Sequence, residues 1–183
     1  MRWIWIDRFE EFQSGQSAKA VKTVSIAEDH IHEQYPGFPV MPNSLIIEGL
    51  AQTGGILVGE ANEFSEKVVL AKLPHVEFFG YAVAGDILQY EVVLAELRSE
   101  GAICDAKVLR NGELMAEAQI VFAHLDKSRG MDDPNAAKNF VFTKDHLVAL
   151  LRMAKGSYQS EASTDRKNEK VAAGEKTGSN GRP

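Results

Sequence analysis

Two rhythms of apolar and polar residues run through this chain, and the change from one to the other marks out its elements. Residues 3–9 are a short apolar run, and residues 19–26 (KAVKTVSI) are rich in Val, Thr and Ile, which suit a pleated, half-buried surface. Ser14-Gly15-Gln16 lies between them as a turn, so the chain is expected to open with a hairpin. Residues 44–61 then carry apolar side chains at nearly every helical angle, including Leu45, Ile46, Ile47, Leu50, Ala51, Ile56, Leu57 and Val58. A helix apolar all round must be buried. Four further strand-like runs follow at 67–79, 87–98, 102–110 and 113–124, and the last two are joined by Asn111-Gly112, a strong hairpin signal. Two strands, one long helix and four consecutive strands predict an α+β fold, an antiparallel sheet curled around a single helix.

Beyond residue 126 the pattern weakens. Residues 127–139 read as a linker, and residues 143–155 as an amphipathic helix with Thr143 as its cap and Leu147, Leu150, Leu151 and Ala154 on one face. That face must cover something, by default the domain's own sheet or a partner's. Residues 156–183 are polar, of mixed charge, and read as a disordered tail. The organisation expected is one domain over 1–126, a linker and helix over 127–155, and a tail over 156–183.

Composition narrows the function. A chain of 183 residues that is 44% hydrophobic supports one ordinary core. A net charge of −6 without a basic stripe argues against nucleic acid as a partner. The single cysteine, Cys104, excludes an intrachain disulfide, and its place in an alternating run marks it as a strand residue. The N-terminus reaches Asp7 too soon for a secretory signal, while Glu48 and Glu60 interrupt the most hydrophobic segment. A cytoplasmic protein without membrane insertion is expected.

The chemistry concentrates between residues 28 and 63. His30 and His32 precede a loop stiffened by Pro36, Gly37, Pro39 and Pro42, and the loop runs into the long helix that carries Glu48. Asn43 sits where a side chain could cap the helix. In an extended segment His30 and His32 would point to one side. With Glu33 they have the chemistry of a metal site, but neither a cysteine nor a third histidine stands at ligand spacing, so no metal is expected.

The loop YPGFPVMPN followed by SLIIEGLAQTGGIL resembles the active-site segment of the hot-dog-fold dehydratases that act on 3-hydroxyacyl thioesters of acyl-carrier protein. Ile6-Asp7-Arg8, residues 20–28 and Gly85-Asp86 extend the resemblance over about residues 3–125. It implies a sheet wrapped around a central helix and a homodimer with a continuous sheet, with a trimer of dimers as a larger assembly. It also implies active sites at the dimer interface, an acyl thioester on acyl-carrier protein or coenzyme A as substrate, and no cofactor. The departures are specific. The family's His-Phe-Pro-Gly reads Gln34-Tyr35-Pro36-Gly37 here, and Gln34 keeps the family's fourteen-residue offset to Glu48. Asn43 replaces a glycine, and Phe79-Gly80-Tyr81 stands where the family carries basic residues.

Dehydration needs a base for the α-proton, donors for the enolate-like oxygen and an acid for the leaving hydroxyl. Glu48, desolvated on a buried helix, is the candidate acid. The N–H groups of Gly37 and of Asn43 or Ser44 resemble the family's carbonyl donors, and Tyr35 and Met41 are further candidates for substrate contact. Gln34 bonds but exchanges no proton, so the base falls to His32 as a surrogate, or to His30. Gln52 matches the family's Ala-Gln pair as a structural residue. A thioester hydrolase, in which Glu48 activates water, and a non-catalytic acyl-binding subunit are the competing readings.

Overall fold

The computed structural model describes residues 4–125 and 144–154. Its elements in chain order are β1 (Arg8–Gln13), β2 (Ser17–Thr23), α1 (Asp29–Glu33), α2 (Asn43–Ala61), β3 (Lys67–Phe78), β4 (Ile87–Arg98), β5 (Gly101–Arg110), β6 (Glu113–Leu125) and α3 (Lys144–Ala154). The strands form one antiparallel sheet in the order β1-β2-β4-β5-β6-β3, and α2 packs along one face. The sheet around one helix is the architecture the pattern predicted.

Alternation decides which side chains meet the helix. On β4, Leu88, Tyr90 and Val92 are buried; on β5, Ala102, Cys104, Ala106 and Val108; on β6, Ala116, Ala118, Ile120 and Phe122. The intervening residues form the outer face, where Lys19 stands opposite Glu91, Glu91 opposite Lys107 and Lys107 opposite Glu117. Lys19 Nζ lies 2.9 Å from Glu91 Oε1. Opposite charges on directly paired strands suit a solvated face. The helix approaches the inner face closely: a Cβ at Gly49 would meet Tyr90 Cζ at 2.5 Å, so any larger residue would force the buried Tyr90 ring to shift.

The turns follow their residues. Asn111 (φ 53°) and Gly112 (φ 91°) both adopt left-handed backbone, as a two-residue hairpin loop requires. The opening hairpin forms around Gly15 (φ 65°), but its first strand begins at Arg8, and residues 4–7 of the apolar run lie outside it. Just before Arg8 the chain still touches β2, Asp7 N–H donating to Val21 O (2.6 Å), but two residues earlier Trp5 N–H donates to the Gln52 side chain on α2 (2.7 Å). Tertiary contact overrides the apolar run there.

Two further expectations change. Residues 29–33 form a short helix, not an extended segment. Pro42, not Asn43, occupies the α2 N-cap, and no side chain caps it. α3 lies against β1, with Leu147 and Leu150 buried, so its apolar face covers the domain's own sheet. Thr143, the linker over 127–139 and the tail from 156 lie outside the described residues. Among the described residues, no helix is long and apolar enough to cross a membrane.

Candidate active site

The loop before α2 is built by its prolines and one glycine. Phe38 N–H donates to Tyr35 O at 2.9 Å, closing a turn with Pro36 second and Gly37 (φ 80°) third, the type II arrangement. The turn uses the Phe38 N–H and leaves that of Gly37 outside its bond. The loop is then pinned to the segment after β3. Met41 N–H donates to Ala82 O (2.8 Å), Val40 bridges Val83, and the Phe38 and Tyr81 rings meet edge-on at 5.3 Å. The Met41 side chain is buried in the core, whereas Tyr35 is exposed.

Leu45 and Ile46 N–H both donate to Pro42 O, so the N–H groups of Asn43 and Ser44 precede the first bonds of the helix. The N-terminus of α2 thus offers donors and the positive end of its dipole where the loop ends. Glu48 follows Ser44 by one turn on the same face, and both are exposed. The desolvation expected of Glu48 is therefore not present in the single chain, because α2 buries its flank toward the sheet and leaves this one open.

Glu48 is held from below. Gln52 Nε2 donates to Glu48 Oε1 at 2.9 Å, and Gln52 Oε1 accepts from Trp5 N–H at 2.7 Å. A backbone N–H can only donate, so the amide oxygen must face Trp5 and the amide nitrogen must face Glu48. Gln52 is itself buried. Its matching to the family's Ala-Gln pair flagged the position, but its partner 47 residues away is invisible to local pattern.

The two histidines do not share an orientation, because residues two apart on a helix point to different sides. His32 is exposed, and its Nε2 lies 2.7 Å from Ile26 O. His30 turns inward, its ring edge-on to Trp5 with centroids 5.0 Å apart. Burial holds its pKa below the ordinary 6.5, and Lys22 adds to the lowering against the opposing pull of Glu28 and Asp29. Beneath α1, buried Lys22 reaches Glu28 (2.6 Å) and lies 3.9 Å from Asp7. Gln34 ends this turn, exposed, its N–H directed at His30 O.

One cation escaped the linear reading. Arg110, at the end of β5, donates from Nη1 to Tyr81 O at 2.6 Å, placing a guanidinium beside the uncharged Phe79-Gly80-Tyr81 segment. A separate groove of about 430 Å³, lined by His75, Glu91, Asp105, Lys107, Glu117 and Gln119 among others, lies on the outer face and includes none of the site residues.

Comparison with known proteins follows the same segment. A family model described as a FabA-like domain matches residues 3–119. The chain is 40% identical over 131 residues to the 3-hydroxyacyl-[acyl-carrier-protein] dehydratase FabZ of Lawsonia intracellularis, covering 68% of this chain and 84% of that one. With the FabZ of Clostridium acetobutylicum it shares 33% over 118 residues, covering 64% and 84%. Among solved structures, the dehydratase heterocomplex ApeI:P from Xenorhabdus doucetiae superposes with a TM-score of 0.57 at 15% identity, covering 68% of this chain and 84% of that one. The uncharacterized protein PH1136 from Pyrococcus horikoshii gives 0.55 at 19%, covering 68% and 86%. At such identities the structural likeness speaks for the hot-dog fold alone. The match across the sheet, the proline-rich loop and the first turns of α2 identifies this chain as a member of the FabA-like family.

Proposed function

We propose that this protein dehydrates 3-hydroxyacyl thioesters, carried on acyl-carrier protein or coenzyme A, to trans-2-enoyl thioesters in fatty-acid synthesis. The observation that carries the reading is Glu48, one turn into α2, held by Gln52 beside a helix start whose Asn43 and Ser44 N–H groups are open. The dehydratase names of relatives at 33–40% identity support it. The thioester carbonyl binds at the N–H groups of Gly37 and of Asn43 or Ser44, where donors and helix dipole favour developing negative charge. Tyr35 borders the acyl chain, and Met41 shapes the loop from within the core. Gln34 hydrogen-bonds substrate oxygen, and Glu48 performs proton transfer. Arg110 gives this end of the sheet a positive group for an acidic carrier or a coenzyme A phosphate.

The working unit is a homodimer in the cytoplasm. Among the described residues β3 pairs with β6 alone, and Val69 and Leu70 stand exposed along it. An open apolar edge of this kind favours pairing with a second copy, which would also cover the exposed flank of α2. Turnover of a crotonyl thioester tests the reaction: water addition is expected without release of free thiol. Glu48→Gln is expected to lower that rate by about 10²–10⁴-fold, the usual contribution of a proton-transfer group. Thiol release by the wild type would point instead to hydrolysis.

A further inference from the structure

We infer that Glu48 acts as the sole proton-transfer group of this site, with Gln52 as its positioning residue. The inference rests on the dehydratase reading and assigns within it the work that an acid and a base would otherwise divide.

Five observations converge on it. Gln34 stands where a base would be expected and cannot take a proton. His32 has a ring nitrogen 2.7 Å from Ile26 O and points to solvent. His30 is packed edge-on against Trp5, and its surroundings disfavour the charged form that a base must reach. Of the other described histidines, His75 is exposed on β3 and pairs at 3.8 Å with Glu77, while His124 lies 3.3 Å from Glu66, beyond the far end of α2. Glu48 is a carboxylate next to the open helix start that is both exposed and held, since the Trp5–Gln52–Glu48 chain engages Oε1, whereas the exposed His32 has its Nε2 engaged at Ile26 O.

One carboxylate suffices if both substrate groups lie on one side. The Cα–H bond breaks and its proton passes to Glu48. The electron pair of that bond becomes the new Cα=Cβ bond as the Cβ–O bond breaks. Glu48 then gives the proton to the departing hydroxyl, which leaves as water, and the carboxylate is restored. No second titrating side chain enters the balance, and Gln34 only orients the oxygen it touches.

The test is hydration of crotonyl-coenzyme A by the full chain and by three variants whose melting transitions are recorded alongside. His30→Phe/His32→Gln keeps a ring against Trp5, and its kcat/KM is expected to stay within about threefold of wild type, far from the 10²-fold or greater loss that follows removal of a proton-transfer group. Glu48→Gln is expected to show that loss. Gln52→Met, similar in volume without the amide donor, is expected to lower kcat about tenfold or more with KM little changed, as for an interaction used in the transition state. A hundredfold loss in the folded double-histidine variant would overturn the single-carboxylate route while leaving the wild-type dehydratase standing. Should that variant not fold, His32→Gln and His30→Phe are read singly against the same limits. An unchanged kcat in Gln52→Met would overturn the positioning role. Absence of hydration by the wild type would remove the parent reading and this inference with it.

Discussion

Among the described residues Tyr90 is the largest fully buried side chain, and its hydroxyl has no hydrogen-bond partner there. Burial raises the phenol pKa, and Asp7 and Glu28 raise it further, so the group stays neutral. An unbonded buried hydroxyl costs roughly 1–3 kcal/mol, so Tyr90→Phe is expected to leave stability unchanged or raise it by about 1 kcal/mol, read from a denaturant midpoint. His30 carries the opposite kind of strain. Its folded pKa lies below the ordinary 6.5, so below that pH the unfolded chain binds a proton that the folded chain does not. Stability is therefore complete above about 6.5 and falls as the pH drops through that value. His30→Phe is expected to flatten this slope between pH 7 and 5, as melting curves at several pH values would show. Glu48 and Gln34 were legible as residues, from their spacing and types. The orientation of His30 was not, because it depends on Trp5, 25 positions away in sequence, closing over the ring.

Elements were legible where one periodicity held without interruption. α2 and β4 appeared at nearly their true bounds, since a helix apolar all round and an alternating strand each have one way to be buried. α1 escaped because a five-residue helix has too little pattern to announce itself. The cap expected of Asn43 failed for a related reason: Pro42 already takes the N-cap, its fixed φ leading into the helix and its carbonyl accepting from Leu45 and Ile46. α3 was expected, and the structure gave its apolar face a destination on β1. Leu150 is 6% exposed there. Leu150→Ala is expected to cost about 2–3 kcal/mol, at the lower end for buried leucines because the site lies at the sheet margin, and a shift in urea midpoint measures it.

At the scale of the whole molecule, α3 lies against one edge strand, β1, while among the described residues the other edge, β3, pairs on one side only. Assembly through β3 predicts a solution mass near twice the 20.1 kDa of one chain. Leu70→Lys puts a charge on that edge, and is expected to shift the species toward monomer by sedimentation and to reduce hydration in parallel. The sequence by itself determined the α+β class, the buried central helix, the Asn111-Gly112 hairpin and the presence of a carboxylate at Glu48, because each is written in local periodicity or in the residue itself. Only the tertiary structure decided that Trp5 leaves the sheet to bond Gln52, that Gln52 thereby turns its amide toward Glu48, and that His30 and His32 diverge. The physical reason is that the Trp5 contacts with Gln52 and His30 join residues 47 and 25 positions apart, and the histidines diverge because residues 29–33 close into a helix too short to show in the pattern; local periodicity records neither.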